Sequence, residues 1–99
     1  MKINIQQNGN EVVVALNGEL DTVTTSQMSK ELNRIIELTG NHLVIDCKGL
    51  EYISSTGLRF FMQLKRHSEQ QNGTVTLINM NQDVKEVFHL SGFHHIFNI

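Results

Sequence analysis

The sequence from residue 42 to residue 58 reads HLVIDCKGLEYISSTGL and predicts a buried strand directly before a helix. The continuous apolar run Leu43–Ile45 is typical of a central strand that other elements cover. Residues 55–71 then predict a helix, which ends before the turn signal at Asn72 and Gly73. A strand followed by a helix is the building unit of α/β proteins.

Two strands and a helix are predicted on the N-terminal side of this unit. Lys2–Gln7 alternates apolar and polar residues, and Glu11–Leu16 is rich in valine, so we expect an antiparallel hairpin that turns at residues 8–10. From Thr22 the apolar period becomes helical. We expect one helix here, capped by threonine or serine, that stops at Gly40.

A further strand and helix are predicted on the C-terminal side, over Thr74–Ile78 and Gln82–Leu90. Residues 93–99 predict a short apolar strand or edge segment. The resulting order, β-β-α-β-α-β-α-β, indicates an α/β fold with a mixed sheet and right-handed helical crossovers. The chain length predicts a single domain of residues 1–99.

Composition narrows the classes of function that the chain can have. Its 99 residues are 39% hydrophobic and 18% charged, with a formal net charge of -2. A protein that neutralises phosphates normally has a basic excess, so nucleic acid is disfavoured as the main partner. The longest apolar runs fall far short of the roughly 18 residues that span a bilayer, and no secretory signal opens the chain. With a single cysteine, Cys47, we expect a cytoplasmic protein without membrane insertion.

No group of side chains predicts catalysis. Carboxylates near predicted strand ends are expected to serve turns and caps rather than acid–base chemistry: Glu19, Asp21, Asp46 and Glu51. Three histidines do not predict a metal site, since neighbours on an extended segment point to opposite sides: His89, His94 and His95. Cys47 is expected to be a small buried residue, and nucleotide-binding and nucleophile motifs are absent. We therefore predict no enzymatic activity, cofactor or metal.

Three adjacent hydroxyl residues, Ser54, Ser55 and Thr56, stand where the helix of residues 55–71 begins. One of them is expected to cap the helix, and we expect Ser55→Ala to remove a cap. A cap needs only one hydroxyl, however, and a helix start can also stabilise a phosphate through its unpaired N–H groups and positive partial charge. The residues alone leave open both a plain cap and a phosphorylated serine.

Four segments together resemble the STAS domain, specifically the anti-sigma factor antagonist family of bacteria. They are Leu16–Asp21 with Thr24, Leu43–Asp46, Asp46–Leu58, and Leu77–Asn81 with Val84–Val87 and Leu90–Phe93. The resemblance covers essentially the whole chain and implies a mixed sheet with helices packed mainly on one face. It also implies that the unphosphorylated protein binds an anti-sigma factor that is itself a serine kinase of the histidine-kinase-like ATPase type. Phosphorylation breaks this complex, and a metal-dependent serine/threonine phosphatase restores it.

The same resemblance assigns roles to residues around the helix start. Ser55 corresponds to the phosphorylated serine, and Asp21 to a loop aspartate that lies near it. Further residues correspond to the helix start of the motif: Thr56, Gly57 and Leu58. Ser54 departs from the family pattern, which usually has aspartate there, so it is a second candidate acceptor.

The apolar residues of this helix predict part of the partner surface. They cover an arc of about 200°, wider than contact with one sheet requires: Leu58, Phe60, Phe61, Met62 and Leu64. We expect Phe60 or Leu64 to be partly exposed beside Ser55 on the binding face. The alternative is a buried helix wedged between the sheet and a neighbouring helix.

Other functions are also compatible with the resemblance to the STAS domain. The chain could be a constitutive STAS subunit of a transporter, a scaffold in a stress-sensing assembly, or a regulator of a target other than a sigma factor. Neighbouring genes would separate them, because kinase and phosphatase genes favour the switch whereas transporter genes favour the subunit.

Overall fold

The computed structural model describes residues 1–99, which form four strands and five helices. In chain order the elements are β1 (Lys2–Asn8), β2 (Glu11–Leu20), α1 (Thr22–Gln27), α2 (Ser29–Glu37), β3 (His42–Ile53), α3 (Ser55–Gln70), β4 (Thr74–Ile78), α4 (Gln82–Ser91) and α5 (His94–Phe97). The strand–helix unit predicted around residues 42–58 is thus β3 followed by α3.

The strands form one mixed sheet in the order β1-β2-β3-β4. β1 and β2 pair antiparallel, while β2 with β3 and β3 with β4 pair parallel. The chain therefore moves across the sheet in one direction, and right-handed crossovers then place both helical connections on the same face. Burial alternates accordingly, since Val14 and Ile45 are buried whereas Val13 and Val44 on the other face are only partly covered. The predicted α/β fold, with helices mainly on one face of a mixed sheet, is confirmed.

α3 lies at the centre of the core. The ring of Phe61 meets Phe60, Phe88 of α4 and Phe97 of α5 edge to face, with centroids 6.0, 5.6 and 6.2 Å apart. Such pairs stabilise a core beyond the area that they bury. Phe61 thus joins three helices above the sheet.

The prediction of a strand or edge segment over residues 93–99 is wrong. His94–Phe97 form the short helix α5, and the Phe97 ring packs against Phe88 with centroids 5.9 Å apart. A short apolar run can be buried from one helical turn as well as from a strand, so periodicity does not separate the two.

The predicted single helix after Thr22 is two helices, α1 and α2. They are separated at Met28, whose φ of -103° and ψ of 20° interrupt the helix. The four residues Thr22–Thr25 are all β-branched, which weakens helix propensity and explains why α1 is short. Asp21, rather than a threonine or serine, caps α1.

β2 and β3 are longer than predicted and end at Leu20 and Ile53. Their pairing shifts register twice, between Ala15 and Asn17 and between Gly18 and Glu19. Each shift inserts an extra residue into β3 and breaks the strict alternation of faces. The irregular pairing continues both strands to the edge of the sheet where α1 and α3 begin.

Candidate functional site

The carboxyl ends of β2 and β3 lie side by side, with Leu20 paired to Ile53. The backbone N–H of Ser54 donates to the Leu20 carbonyl oxygen at 2.9 Å and extends this pairing to the start of α3. α1 and α3 therefore begin next to each other, and we call residues 19–24 and 52–57 the helix-start edge. Carboxyl ends of parallel strands are common binding positions in α/β proteins.

Asp21 caps α1 at this edge. Its Oδ1 accepts from the Thr24 N–H at 2.9 Å, and the Thr24 hydroxyl accepts from the Asp21 N–H at 2.9 Å, which completes a capping box. The hydrogen bond from the Thr24 N–H stabilises the carboxylate and lowers the pKa of Asp21 from its usual 3.8. The helix-start edge therefore carries a fixed negative charge at neutral pH.

The three adjacent hydroxyls at the start of α3 have different surroundings. Ser54 is the N-cap, and its Oγ accepts a hydrogen bond from the Gly57 N–H at 3.3 Å. The Oγ1 of Thr56 lies 3.0 Å from that of Thr22, which links the starts of α3 and α1. Ser55 occupies the first helical position, is exposed, and makes no side-chain hydrogen bond within the protein. Ser55 is therefore the one free hydroxyl of the three.

The expectation that Ser55→Ala removes a cap is wrong, because Ser54 has that role. Ser54 has a φ of -96° and a ψ of 175°, the extended backbone of an N-cap residue. Ser55 already lies within the helix, where its side chain cannot reach the orphan N–H groups in the same way.

Gly57 brings the first turn of α3 against the end of β2. A Cβ at this position would lie 2.7 Å from Ile53 Cγ1 and 2.8 Å from the Leu20 carbonyl oxygen. Only a hydrogen fits there without displacement of backbone atoms. Leu58, the next residue, is buried and holds the same turn against the core.

The prediction that Phe60 or Leu64 is exposed on the binding face is wrong, since their exposed fractions are 4% and 0%. α3 contacts β3 and β4 in the sheet and also contacts α1 and α2. These two sets of contacts occupy its wide apolar arc, as in the alternative of a helix wedged between sheet and neighbouring helices. Phe60 and Leu64 therefore belong to the core.

Sequence reasoning missed two exposed apolar side chains at the helix-start edge, Val23 (62% exposed) and Tyr52 (49% exposed). Val23 follows Thr22, whose hydroxyl contacts that of Thr56. Tyr52 of β3 is the strand partner of Glu19 in β2. A valine outside the apolar stripe of the predicted helix was a usable signal for Val23. No comparable signal marked Tyr52, because the face on which it lies depends on the irregular pairing of β3.

Asp46 and Cys47 of β3 are engaged and buried, respectively. Asp46 accepts from the Lys48 N–H at 3.0 Å and from Asn79 Nδ2 at 3.1 Å, which is the turn role expected for it. Cys47 is buried as predicted, and burial raises the pKa of its thiol to about 12, with a smaller contribution from the charge of Asp46. The thiol is therefore unreactive near neutral pH.

The prediction that the C-terminal histidines point to opposite sides is wrong, because the segment is helical. The ring of His94 stacks on His89 with centroids 4.2 Å apart and lies 3.9 Å from the ring of His95. No three or more His, Cys, Asp or Glu side chains are arranged to hold a metal ion. None of the helices has both the length and the apolar character needed to cross a membrane.

Comparison with known proteins gives matches over nearly the whole chain. The family model of the STAS domain matches residues 2–99. BtrV of Bordetella bronchiseptica, named as an anti-sigma factor antagonist, is 29% identical over all of this chain and 85% of its own length. The anti-sigma-B factor antagonist of Bacillus subtilis is 27% identical over all of this chain and 90% of its own.

Solved structures share the fold. The anti-sigma factor antagonist SpoIIAA in its unphosphorylated form has a TM-score of 0.74 and 25% identity, over 92% of this chain and 81% of that chain. The phosphorylated form of SpoIIAA has a TM-score of 0.69 and 23% identity, over 92% of this chain and 84% of that chain.

Proposed function

Because this chain belongs to the STAS domain family, we propose that it is an anti-sigma factor antagonist whose binding is switched by phosphorylation of Ser55. In this proposal residues 1–99 form one STAS domain that regulates transcription by binding rather than by catalysis. The unphosphorylated form binds an anti-sigma factor that is also a serine kinase of the histidine-kinase-like ATPase type. A serine/threonine phosphatase restores binding after phosphorylation, and both reactions take place in the cytoplasm.

The free hydroxyl of Ser55 is the observation that carries the proposal. Ser54 accepts from Gly57 as the cap, and Thr56 contacts Thr22, so modification of either would disturb the helix start. Ser55 is exposed and has no such partner. In the reaction, its Oγ forms a bond to the γ-phosphorus of ATP and the bond from that phosphorus to the bridging oxygen breaks. The hydroxyl proton passes to solvent, and ADP leaves.

The exposed side chains around Ser55 give a reason for release on phosphorylation. Val23 and Tyr52 are exposed apolar side chains at the helix-start edge, and a partner can cover each of them. Phosphorylation adds a bulky group with a charge of about -1.5 to -2 at this edge, and taking such a group out of water under an apolar partner surface is unfavourable. The carboxylate of Asp21 adds like charge at the same edge. A complex formed across this edge is therefore weakened by the phosphate.

The relatives support the proposal. BtrV and the Bacillus subtilis protein are named as anti-sigma factor antagonists, and SpoIIAA occurs in unphosphorylated and phosphorylated forms. We extend these properties to this chain, and the sequence resemblance assigns the role of the phosphorylated serine to Ser55.

Affinity capture from native cells tests the switch. We expect the wild-type domain and Ser55→Ala to capture the anti-sigma factor, and Ser55→Asp to capture about tenfold less or none. Gln70→Glu is the matched control, because it adds one negative charge to an exposed position at the far end of α3. Equal capture by Ser55→Asp and wild type would contradict the switch.

Incubation with the captured kinase and ATP, followed by peptide mapping by mass spectrometry, tests the acceptor. We expect phosphate on Ser55 and none on Ser54 or Thr56. Phosphate on Ser54 with Ser55 unmodified would overturn the choice of residue and leave a switch at the same helix start.

Surface substitutions test the proposed contact area. Val23→Ser and Tyr52→Ser are each expected to reduce capture about tenfold, because buried apolar anchors dominate binding energy. Leu90→Ser is the control, since Leu90 is 81% exposed but lies near the carboxyl end of α4. Equal losses from all three substitutions would show that the helix-start edge has no special role.

A further inference from the structure

Arg59 is a cation on the same helix face as Ser55. The two are four positions apart in α3, and residues at this spacing have Cβ atoms about 5–6 Å apart. Helical side chains lean towards the N-terminus, and Arg59 Nη2 lies 3.5 Å from Thr56 Oγ1. The guanidinium is therefore directed at the turn that carries Ser55.

No carboxylate pairs with Arg59. The ion pairs of the chain are Arg34 with Glu37 and Lys65 with Glu69. Arg59 lines a groove of about 330 Å³ between α3 and the α1–α2 segment, and every other side chain that lines it is neutral. The first turn of α3 contains no acidic residue. The one polar contact of the guanidinium, to Thr56 at 3.5 Å, is at the outer limit of a hydrogen bond.

We propose that Arg59 binds the phosphate on Ser55, by exchanging its weak contact with Thr56 for paired N–H donors to the phosphoryl oxygens. The inference rests on the proposed function, since it takes Ser55 as the phosphorylated residue. A guanidinium presents N–H donors in a planar fork that matches phosphate, and such contacts are stronger than neutral hydrogen bonds. Thr56 keeps its contact with Thr22, so the starts of α1 and α3 stay joined.

The charges of Arg59 and Asp21 together orient the phosphate on Ser55. Arg59 attracts it towards the groove, whereas the carboxylate of Asp21 repels it from the start of α1. A phosphate on Ser54 would not have the same contact, because Ser54 is five residues from Arg59 and lies on another side of the helix. Arg59 therefore distinguishes the two candidate acceptors.

Genetically encoded phosphoserine at position 55 provides the test, with titration of the phosphate followed by phosphorus NMR. The free phosphate has a second pKa of about 6, and an adjacent cation lowers it. We expect Arg59→Gln to raise this pKa by about half a unit relative to the wild-type background. Arg66→Gln, an exposed arginine further along α3, is the control and should leave the pKa unchanged. Arg59→Lys should retain part of the shift, because it keeps the charge and loses the fork.

Equal phosphate pKa values in the wild-type, Arg59→Gln and Arg59→Lys backgrounds would overturn the role of Arg59. The titration needs neither kinase nor partner, so its failure would leave the capture result for Ser55→Asp intact. Conversely, equal capture by wild type and Ser55→Asp would remove the proposed function while the ion pair could still be measured. Thermal unfolding of each variant confirms that the domain is folded during the titration.

Discussion

The first turn of α3 and the middle of the same helix differ in exposure and in hydrogen bonding. In the first turn, Ser55 is exposed and its hydroxyl is free, while Ser54 caps the helix. In the middle, Phe60, Phe61 and Leu64 are buried between the sheet and the neighbouring helices. Hydroxyls beyond the one needed for a cap thus indicate the candidate site, whereas the wide apolar arc indicates how many neighbouring elements the helix contacts.

Phe61→Ala is expected to have the largest effect on the free energy of unfolding. Removing the ring from its contacts with Phe60, Phe88 and Phe97 should lower the free energy of unfolding by about 3–5 kcal/mol, measured by urea denaturation. Ser55→Ala should change it by less than about 0.5 kcal/mol, because Ser55 is exposed and its side chain makes no hydrogen bond. Similar losses from the two substitutions would remove the distinction between the two parts of α3.

Gly57→Ala tests how closely the first turn of α3 is packed against the end of β2. The added Cβ would lie 2.7 Å from Ile53 Cγ1 and 2.8 Å from the Leu20 carbonyl oxygen, so we expect a loss of about 1–3 kcal/mol. Gly40→Ala is the control, because the nearest atom to its Cβ would be the Gln71 side-chain oxygen at 3.1 Å, with no backbone atom closer than that side chain, so a much smaller effect is expected. Thermal unfolding of both variants measures the difference, and a neutral Gly57→Ala would show that the first turn is not held against β2.

A smaller effect separates the two serines. Ser54→Ala should lower the free energy of unfolding by about 1 kcal/mol, since it leaves the Gly57 N–H without its side-chain acceptor. Ser54→Asp should preserve the cap, because aspartate is equally favoured at this position. A larger loss from Ser55→Ala than from Ser54→Ala would reverse the assignment of cap and free hydroxyl.

The smallest expected effect concerns acid stability at the start of α1. The pKa of Asp21 is lowered in the folded protein, so its stabilising contribution is present above the usual value of 3.8 and is lost as pH falls through the folded value. Asp21→Asn should therefore flatten the decline in the free energy of unfolding below about pH 4. Thr24→Val retains the backbone N–H donor and should keep most of that decline. The opposite order, measured by urea denaturation at several pH values, would contradict this account.

Much of the fold could be predicted from sequence because its periodic segments are regular. The hairpin, the central strand, α3 and α4 follow from alternating or helical spacing of apolar residues. The C-terminal segment could not be predicted, since the position of Phe97 is decided by contact with Phe61 and Phe88. The interruption at Met28 was also missed, although the β-branched run Thr22–Thr25 indicates a weak helix.

The candidate site could be located from sequence but not described in detail. Three adjacent hydroxyls marked the position, yet the backbone angles decide that Ser54 is the cap. The exposure of Tyr52 depends on register shifts between β2 and β3, which local spacing does not reveal. The exposure predicted for Phe60 or Leu64 failed because one helix alone does not show how many neighbours it has.

The burial of Cys47 makes the protein convenient for labelling experiments. It is the only cysteine in the chain, and its thiol pKa of about 12 leaves almost no thiolate near neutral pH. A cysteine introduced by Leu90→Cys, outside the proposed contact area, should therefore be the single site that maleimide dyes or spin labels modify, as peptide mapping can verify. The native cysteine can stay in the core, and distances between the carboxyl end of α4 and a bound partner can be measured with the helix-start edge unaltered.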